Sequence, residues 1–217
     1  LEDLRRDSRS HREISGFYSP EDIRRQNLRK ISEGREWLKN STYEDTDSKL
    51  WENQQEALEE VKKAILDKED KILVSMATGS GKTRLAMALT YQLLDSEFAN
   101  RVLFVPDTVD LADDTLEDFR NYNPIDAGRF NDDYIVGDFD EFKEQSNTDV
   151  VVSTIQKVKY ELSNHPEDRS PGEFDVIIVD EAHRGVYNDD DGLGEILEFY
   201  DSIELGLTAT PHKKTVE

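Results

Sequence analysis

Lys82 follows Gly79, Ser80 and Gly81 and precedes Thr83, a run whose spacing suits phosphate chemistry. The pattern Gly-x-x-x-x-Gly-Lys-[Ser/Thr] works because successive backbone N–H groups and a helix N-terminus surround phosphates. The lysine reaches the β- and γ-phosphates and the hydroxyl binds magnesium. Met76 holds the first glycine position here, while Gly79 and Gly81 still permit close backbone approach. Far downstream, Asp180 and Glu181 end the apolar run Val176 to Val179, which puts both carboxylates at the C-terminal edge of a sheet, where open α/β folds bind ligands. Asp180 is expected to reach magnesium through water, and Glu181 to orient or deprotonate an attacking water, since phosphoryl transfer leaves a protein mainly positioning and charge stabilisation. Alone, the Asp-Glu pair reads as a helix N-cap. With the phosphate loop upstream it predicts one site for ATP and Mg2+, with Lys82, Asp180 and Glu181 catalytic and Thr83 and Asp180 on the metal. His183 either couples that site to the rest of the molecule or satisfies a hydrogen bond beneath the sheet.

These groups need elements to hold them. Leu58, Val61 and Ile65 share a helical face, with Glu59 one turn before Lys63. Then come Ile72-Leu73-Val74, the phosphate loop and an apolar helix from Leu85 to Leu94. Short apolar runs at Val102–Val105, Val150–Val152 and Val176–Val179 lack alternation, as strands buried on both faces of a parallel sheet do. The fold class is therefore α/β, a mostly parallel sheet flanked by helices around one core. Residues 1–49 form a helical N-terminal arm or the end of a preceding domain, in which Ser19 caps a helix that starts at Pro20, and residues 50–217 form the nucleotide-binding domain. Polar stretches at Asn121–Asp133, Asn164–Gly172 and Asn188–Gly192 are expected as surface loops.

Composition narrows the classes. With no cysteine and 4 histidines, disulfides, thiolate nucleophiles and Cys-based zinc sites are excluded. No apolar run is long enough to span a bilayer and the N-terminal residues lack a signal-peptide plan, so a cytoplasmic protein with no membrane partner is expected. A start without methionine and an end just past a Thr-Ala-Thr-Pro run suggest a piece of something longer. The net charge is −22, which repels polyanions at long range. Either the protein avoids nucleic acid, or it works in concentrated salt, where screening acts over roughly 3 Å at 1 M; the acidic excess resembles that of proteins from salt-loving organisms.

Further stretches bring a specific likeness. Met76–Arg84, Arg101–Val105, Ser153–Lys157, Phe174–Arg184 and Gly206–Pro211 together resemble the first motor domain of superfamily 2 DEAH-box helicases and translocases, most of all the motor subunit of type I restriction enzymes and the related type III family. The likeness spans about Leu50 to His212 and implies a RecA-like P-loop NTPase fold. It also implies ATP hydrolysis coupled to movement on nucleic acid, double-stranded DNA in particular. By this resemblance, Thr208 and Thr210, with His183, link hydrolysis to motion between two lobes, and Gln54 reads adenine. Thr154, Gln156 and Lys157 would lie near the nucleic-acid track, although they read equally well as an N-cap and first helical turn. It implies as partners a second RecA-like lobe, which would contribute an arginine worth 10³-fold or more in hydrolysis, and nuclease, methyltransferase or specificity subunits. The alternatives are a repair or RNA-directed helicase and a nucleotide-switched interaction module. The family pattern is altered at Trp51-Glu52-Asn53, ahead of Gln54, and after Val105, where Asp107 and Leu111 match it but Thr108 and Asp114 replace two polar or cationic groups expected near DNA. Glu60-Val61-Lys62 spells a nuclease triplet but falls inside a helix, so no nuclease is assigned.

Overall fold

A computed structural model describes residues 16–28, 31–42, 44, 47, 49–124, 129–145, 147–182 and 192–210. Six strands form one sheet: β1 (Lys71–Ser75), β2 (Val102–Val105), β3 (Val136–Asp138), β4 (Val150–Val152), β5 (Val176–Val179) and β6 (Ile203–Thr208), in the order β1-β6-β5-β2-β4-β3. Every pairing is parallel, so all six strands end at the same rim. The strands named from unbroken apolar runs are present. β3 and β6 carry Gly137, Asp138, Glu204 and Gly206, which hide them from a search for such runs.

The sheet is covered on both faces, which is why β2 and β5 are wholly apolar and wholly buried. One face packs Val102, Phe104, Val150, Val176 and Ile178 against α3 (Glu52–Leu66) and α4 (Lys82–Asp95). The other packs Leu103, Val105, Val151, Ile177 and Val179 against Phe139, Val158, Phe174, Ile196 and Tyr200. The single core expected from length is thus divided in two by its own sheet. α4 is buried almost all round, and its buried polar side chains include Gln92, which donates to the Thr42 carbonyl at 3.0 Å.

α1 (Pro20–Leu28) begins as its sequence predicts, with Ser19 Oγ accepting from the Asp22 N–H at 3.0 Å. α2 (Ile31–Asn40) places Leu38 in the same cluster as Leu58 and Leu89, so the described part of the arm shares the lobe's core. Lys62 reinforces the seam by donating to the Ser41 carbonyl at 2.7 Å. Its partner on α3 is Glu59 at 3.1 Å, whereas Lys63 pairs with Glu60, so the expected Glu59–Lys63 pair is replaced by two pairs three residues apart. Burial of Lys62 beside the arm decides this, because its ammonium needs the nearer carboxylate.

Two stretches expected as surface loops are not wholly on the surface. In Asn121–Asp133, the rings of Tyr122 and Phe130 are buried, and α6 (Phe130–Asp133) starts with the Phe130 N–H on the Tyr122 carbonyl at 2.6 Å. In Asn164–Gly172, Ser170 and Gly172 are buried beneath α1, whose Arg25 donates to the Gly172 and Glu173 carbonyls. The stretch Asn188–Gly192 lies outside the described residues except for Gly192. Among the described residues no helix is long and apolar enough to cross a membrane.

Candidate nucleotide site

β1 runs into the phosphate loop and α4 leaves it. Gly79 and Gly81 adopt φ of 76° and 77°, the left-handed region that only glycine enters without strain. Gly81 is the N-cap of α4 and no side chain caps the helix, so its first-turn N–H groups stay available to an anion. A side chain at Gly81 would also strike Gln54, whose Nε2 lies 2.2 Å from where a Cβ would stand.

The carboxylates arrive from β5. The Asp180 N–H continues the ladder onto the Val105 carbonyl at 2.9 Å, and Asp180 Oδ1 accepts from the Glu181 N–H at 2.9 Å. Burial pushes the Asp180 carboxyl above its ordinary range; the Glu181 N–H opposes this, the Glu181 charge adds to it and Lys82 opposes it. Glu181 sits at φ 47°, a left-handed conformation costly for a residue with a Cβ and typical of functional turns. That turn carries its side chain to the phosphate loop, where Lys82 Nζ stands 3.3 Å from Glu181 Oε1. The lysine side chain is 8% exposed and the glutamate 22%.

β6 lies between these two halves and bonds to both. Its Thr208 carbonyl accepts from the Met76 N–H at the start of the phosphate loop, and its Leu207 carbonyl accepts from the Ala182 N–H just past the acidic pair, each at 2.9 Å. Gly206 leaves room for this: a Cβ there would come within 2.9 Å of the Ala182 methyl and 3.0 Å of Leu73. Thr208 is fully buried and its Oγ1 accepts from the Thr210 N–H at 3.2 Å. His183 lies outside the described residues. The oxygens of Thr83, Asp180 and Glu181 are a hard donor set of the kind magnesium takes.

Gln54 is brought to the loop but faces inward. It is 1% exposed; its Nε2 donates to the Ser80 carbonyl at 3.0 Å and the Gly81 carbonyl at 3.1 Å, and its Oε1 accepts from the Trp51 N–H at 2.8 Å. The amide braces the phosphate loop and has no hydrogen left for a base. Nothing in the sequence pattern announces Asp47, yet it is buried and holds Arg84 at two points, Nε to Oδ2 at 2.9 Å and Nη2 to Oδ1 at 3.0 Å, while the Tyr122 hydroxyl donates to it at 2.7 Å.

Thr154, Gln156 and Lys157 follow β4 at the same rim. Thr154 is the N-cap of α8 (Ile155–Asn164), its Oγ1 accepting from the Lys157 N–H at 3.3 Å, and Gln156 is exposed. The Lys157 ammonium is held by Asp140 at 2.8 Å and Glu161 at 3.2 Å, and the Asp140 hydrogen bond leads in pushing its pKa up. The run forms the N-cap and first turn of α8, and the Lys157 charge is balanced within the protein.

The family model described as "Type III restriction enzyme, res subunit" matches residues 47–213. The chain is 35% identical over 181 residues to the type I restriction enzyme EcoKI endonuclease subunit of Escherichia coli (strain K12), a match that covers 76% of this chain and 15% of that subunit. Among solved structures, the Pyrococcus furiosus Hef helicase domain superposes with a TM-score of 0.56 at 24% identity, covering 69% of this chain and 32% of that one. A fragment of a putative HsdR subunit of a type I restriction enzyme from Vibrio vulnificus YJ016 gives a TM-score of 0.50 at 24% identity, with 75% and 26% covered. Both likenesses bear on the fold, which is the RecA-like α/β arrangement expected.

Proposed function

Because the chain belongs to the type III restriction enzyme res subunit family, as a superfamily 2 helicase motor domain of the restriction-enzyme type, we propose that it is the ATP-binding lobe of an ATP-dependent DNA translocase in a restriction-type defence system. The observation that carries this reading is the contact between Lys82 and Glu181, made across β6 at the common rim of a parallel sheet.

Lys82 exchanges its carboxylate partner for the β- and γ-phosphates when a triphosphate enters, a short movement because the pair already spans the site. Glu181, released by that exchange, accepts a hydrogen bond from the attacking water and holds it in line. Thr83 and Asp180 would hold magnesium, which supplies positive charge to the phosphate oxygens. Thr208 and Thr210 carry changes at the phosphates outward, since the Thr208 carbonyl is bonded to the first residue of the phosphate loop. The partners proposed are double-stranded DNA, a second RecA-like lobe, and nuclease, methyltransferase or specificity subunits.

ATPase assays of the full-length protein with duplex DNA, single strands and RNA over a range of salt test this reading. Stimulation by duplex supports it, and stimulation only by RNA or single strands moves the assignment to a repair or RNA-directed helicase. A second reading, a nucleotide-switched interaction module, draws on the −22 charge and on the pairing of Lys157 with two carboxylates. Indifference to every nucleic acid at every salt concentration would favour it.

A further inference from the structure

The chain leaves α8 through one turn of 3-10 helix, Pro166–Asp168, where three side chains of the kind that ligate metals meet. The donor atoms of His165, Glu167 and Asp168 all lie within 4.8 Å of one another. The turn explains the meeting. Proline fixes φ at its first position, and with three residues per turn His165 and Asp168, three apart, stand on the same side. The Asp168 N–H donates to the His165 carbonyl at 3.1 Å and the Arg169 N–H to the Pro166 carbonyl at 3.2 Å, so the backbone beneath the three side chains is closed. The His165 ring is half-buried and edge-on to Tyr160, with centroids 6.3 Å apart, while both carboxylates are exposed.

Arg169, the cation next in the chain, turns to Glu173 at 3.3 Å, and among the described residues no lysine or arginine pairs with Glu167 or Asp168. Two like charges brought together without a cation repel each other, and a bound cation would relieve that. An imidazole nitrogen beside two carboxylate oxygens suits zinc rather than magnesium or calcium, which take oxygens. Zinc holds such donors at about 2.0–2.2 Å, which needs them about 3–4 Å apart, and side chains outside the core can close from 4.8 Å by rotation. We propose that His165, Glu167 and Asp168 form a site for a divalent transition-metal cation of the zinc class, separate from the magnesium proposed at the nucleotide site. α8 starts at the rim that carries Lys82 and Glu181, and its ten residues run about 15 Å, so the site stands toward the opposite end of the sheet. The ion pins the end of α8 to the segment that receives the arm, where Ser170 Oγ accepts from the Ser19 N–H at 3.0 Å.

The −22 charge draws cations to the whole surface, so zinc uptake is measured by calorimetry in about 1 M salt, where that attraction is screened beyond roughly 3 Å. The parent is expected to take up one zinc that a roughly hundredfold excess of magnesium does not remove, because the imidazole favours zinc. His165→Ala and Asp168→Asn should each weaken zinc binding roughly tenfold or more, since even the outer partners of a metal ligand are worth that much. Both substitutions fall outside the two core clusters, and zinc should raise the melting temperature of the parent but not of His165→Ala. Glu181→Gln should leave this zinc in place. Zinc that binds His165→Ala as tightly as the parent, or that magnesium displaces, is held by the acidic surface alone and overturns the proposal. Zinc lost with Glu181→Gln belongs to the nucleotide site and overturns it too, as does a parent that binds none.

Discussion

Lys82 Nζ lies 3.3 Å from Glu181 Oε1, although the two residues are far apart in the chain and reach the contact from strands that do not pair with each other. The intervening β6 makes the contact possible by hydrogen bonding to the loop after β1 and to the turn after β5. An ammonium buried to this degree needs a counter-charge, and in the absence of a triphosphate the glutamate provides it. Glu181→Gln is therefore expected to bind ATP at least as tightly as the parent, because Lys82 no longer leaves a carboxylate, while hydrolysis falls by about 10²- to 10⁴-fold. Lys82→Ala should lose ATP binding. Calorimetry paired with single-turnover hydrolysis separates the two effects, and a Lys82→Ala protein that captures ATP normally would remove the lysine from the site.

Gly81 meets two constraints at once, a φ of 77° and the nearness of Gln54. Gly81→Ala should cost about 1–3 kcal/mol in backbone strain and push Gln54 off the loop, so nucleotide affinity falls much more than fold stability. Gly79→Ala has the same φ problem but open space around its Cβ, and it should be milder. Equal affinities for the two variants would mean that the Gln54 brace contributes nothing.

Asp47 joins the segment before α3 to α4 through Arg84 and to the end of α5 (Val109–Asn121) through Tyr122. Asp47→Ala leaves Arg84 and the buried Tyr122 hydroxyl without their acceptor, and it should lower unfolding free energy by about 2–4 kcal/mol, discounted because Arg84 is part exposed. Tyr122→Phe should cost about 1 kcal/mol. Denaturant titration measures both, and a neutral Asp47→Ala would refute the network.

Glu173 is buried beside Arg169, with the Tyr200 hydroxyl donating to it at 3.1 Å. Burial pushes its carboxyl up to about 7 from 4.5, against the opposing pull of Arg169 and Tyr200. Between those values the folded protein holds a proton that the unfolded chain has released, so this group's contribution is largest at the acidic end and is lost as pH rises through the folded value. Thermal melts from pH 5 to 8 should show a decline on the order of 2 kcal/mol from this group. Glu173→Gln should flatten that slope; an unchanged slope would exclude Glu173 as its source.

Lys157, already matched by Asp140 and Glu161, should not release counterions from DNA. Lys157→Ala in the full-length protein is expected to leave the salt dependence of DNA binding unaltered. A lysine on a phosphate would instead change the slope of log affinity against log salt by about 0.9. A drop of that size would show that Lys157 abandons its carboxylates on the DNA.

The sequence by itself determined the order of the elements and the residue types offered at their ends. The glycines and Lys82 can be read because a phosphate loop depends on backbone freedom and local spacing, and the strands because parallel strands buried twice over must be apolar throughout. Asp180 and Glu181 were legible as a consequence, standing where such a strand ends. What only the tertiary structure decided depends on residues distant in the chain. β6 is masked by its own Gly206, whose small size matters only because Ala182 and Leu73 press on it from neighbouring turns and strands. The Gln54 amide turns inward because Ser80 and Gly81 present carbonyls from another element, and the Lys157 ammonium is paired with carboxylates on two helices, α7 (Phe139–Glu144) and α8. Residue type and spacing state what a side chain can bind, and the packing of remote elements states what has already claimed it.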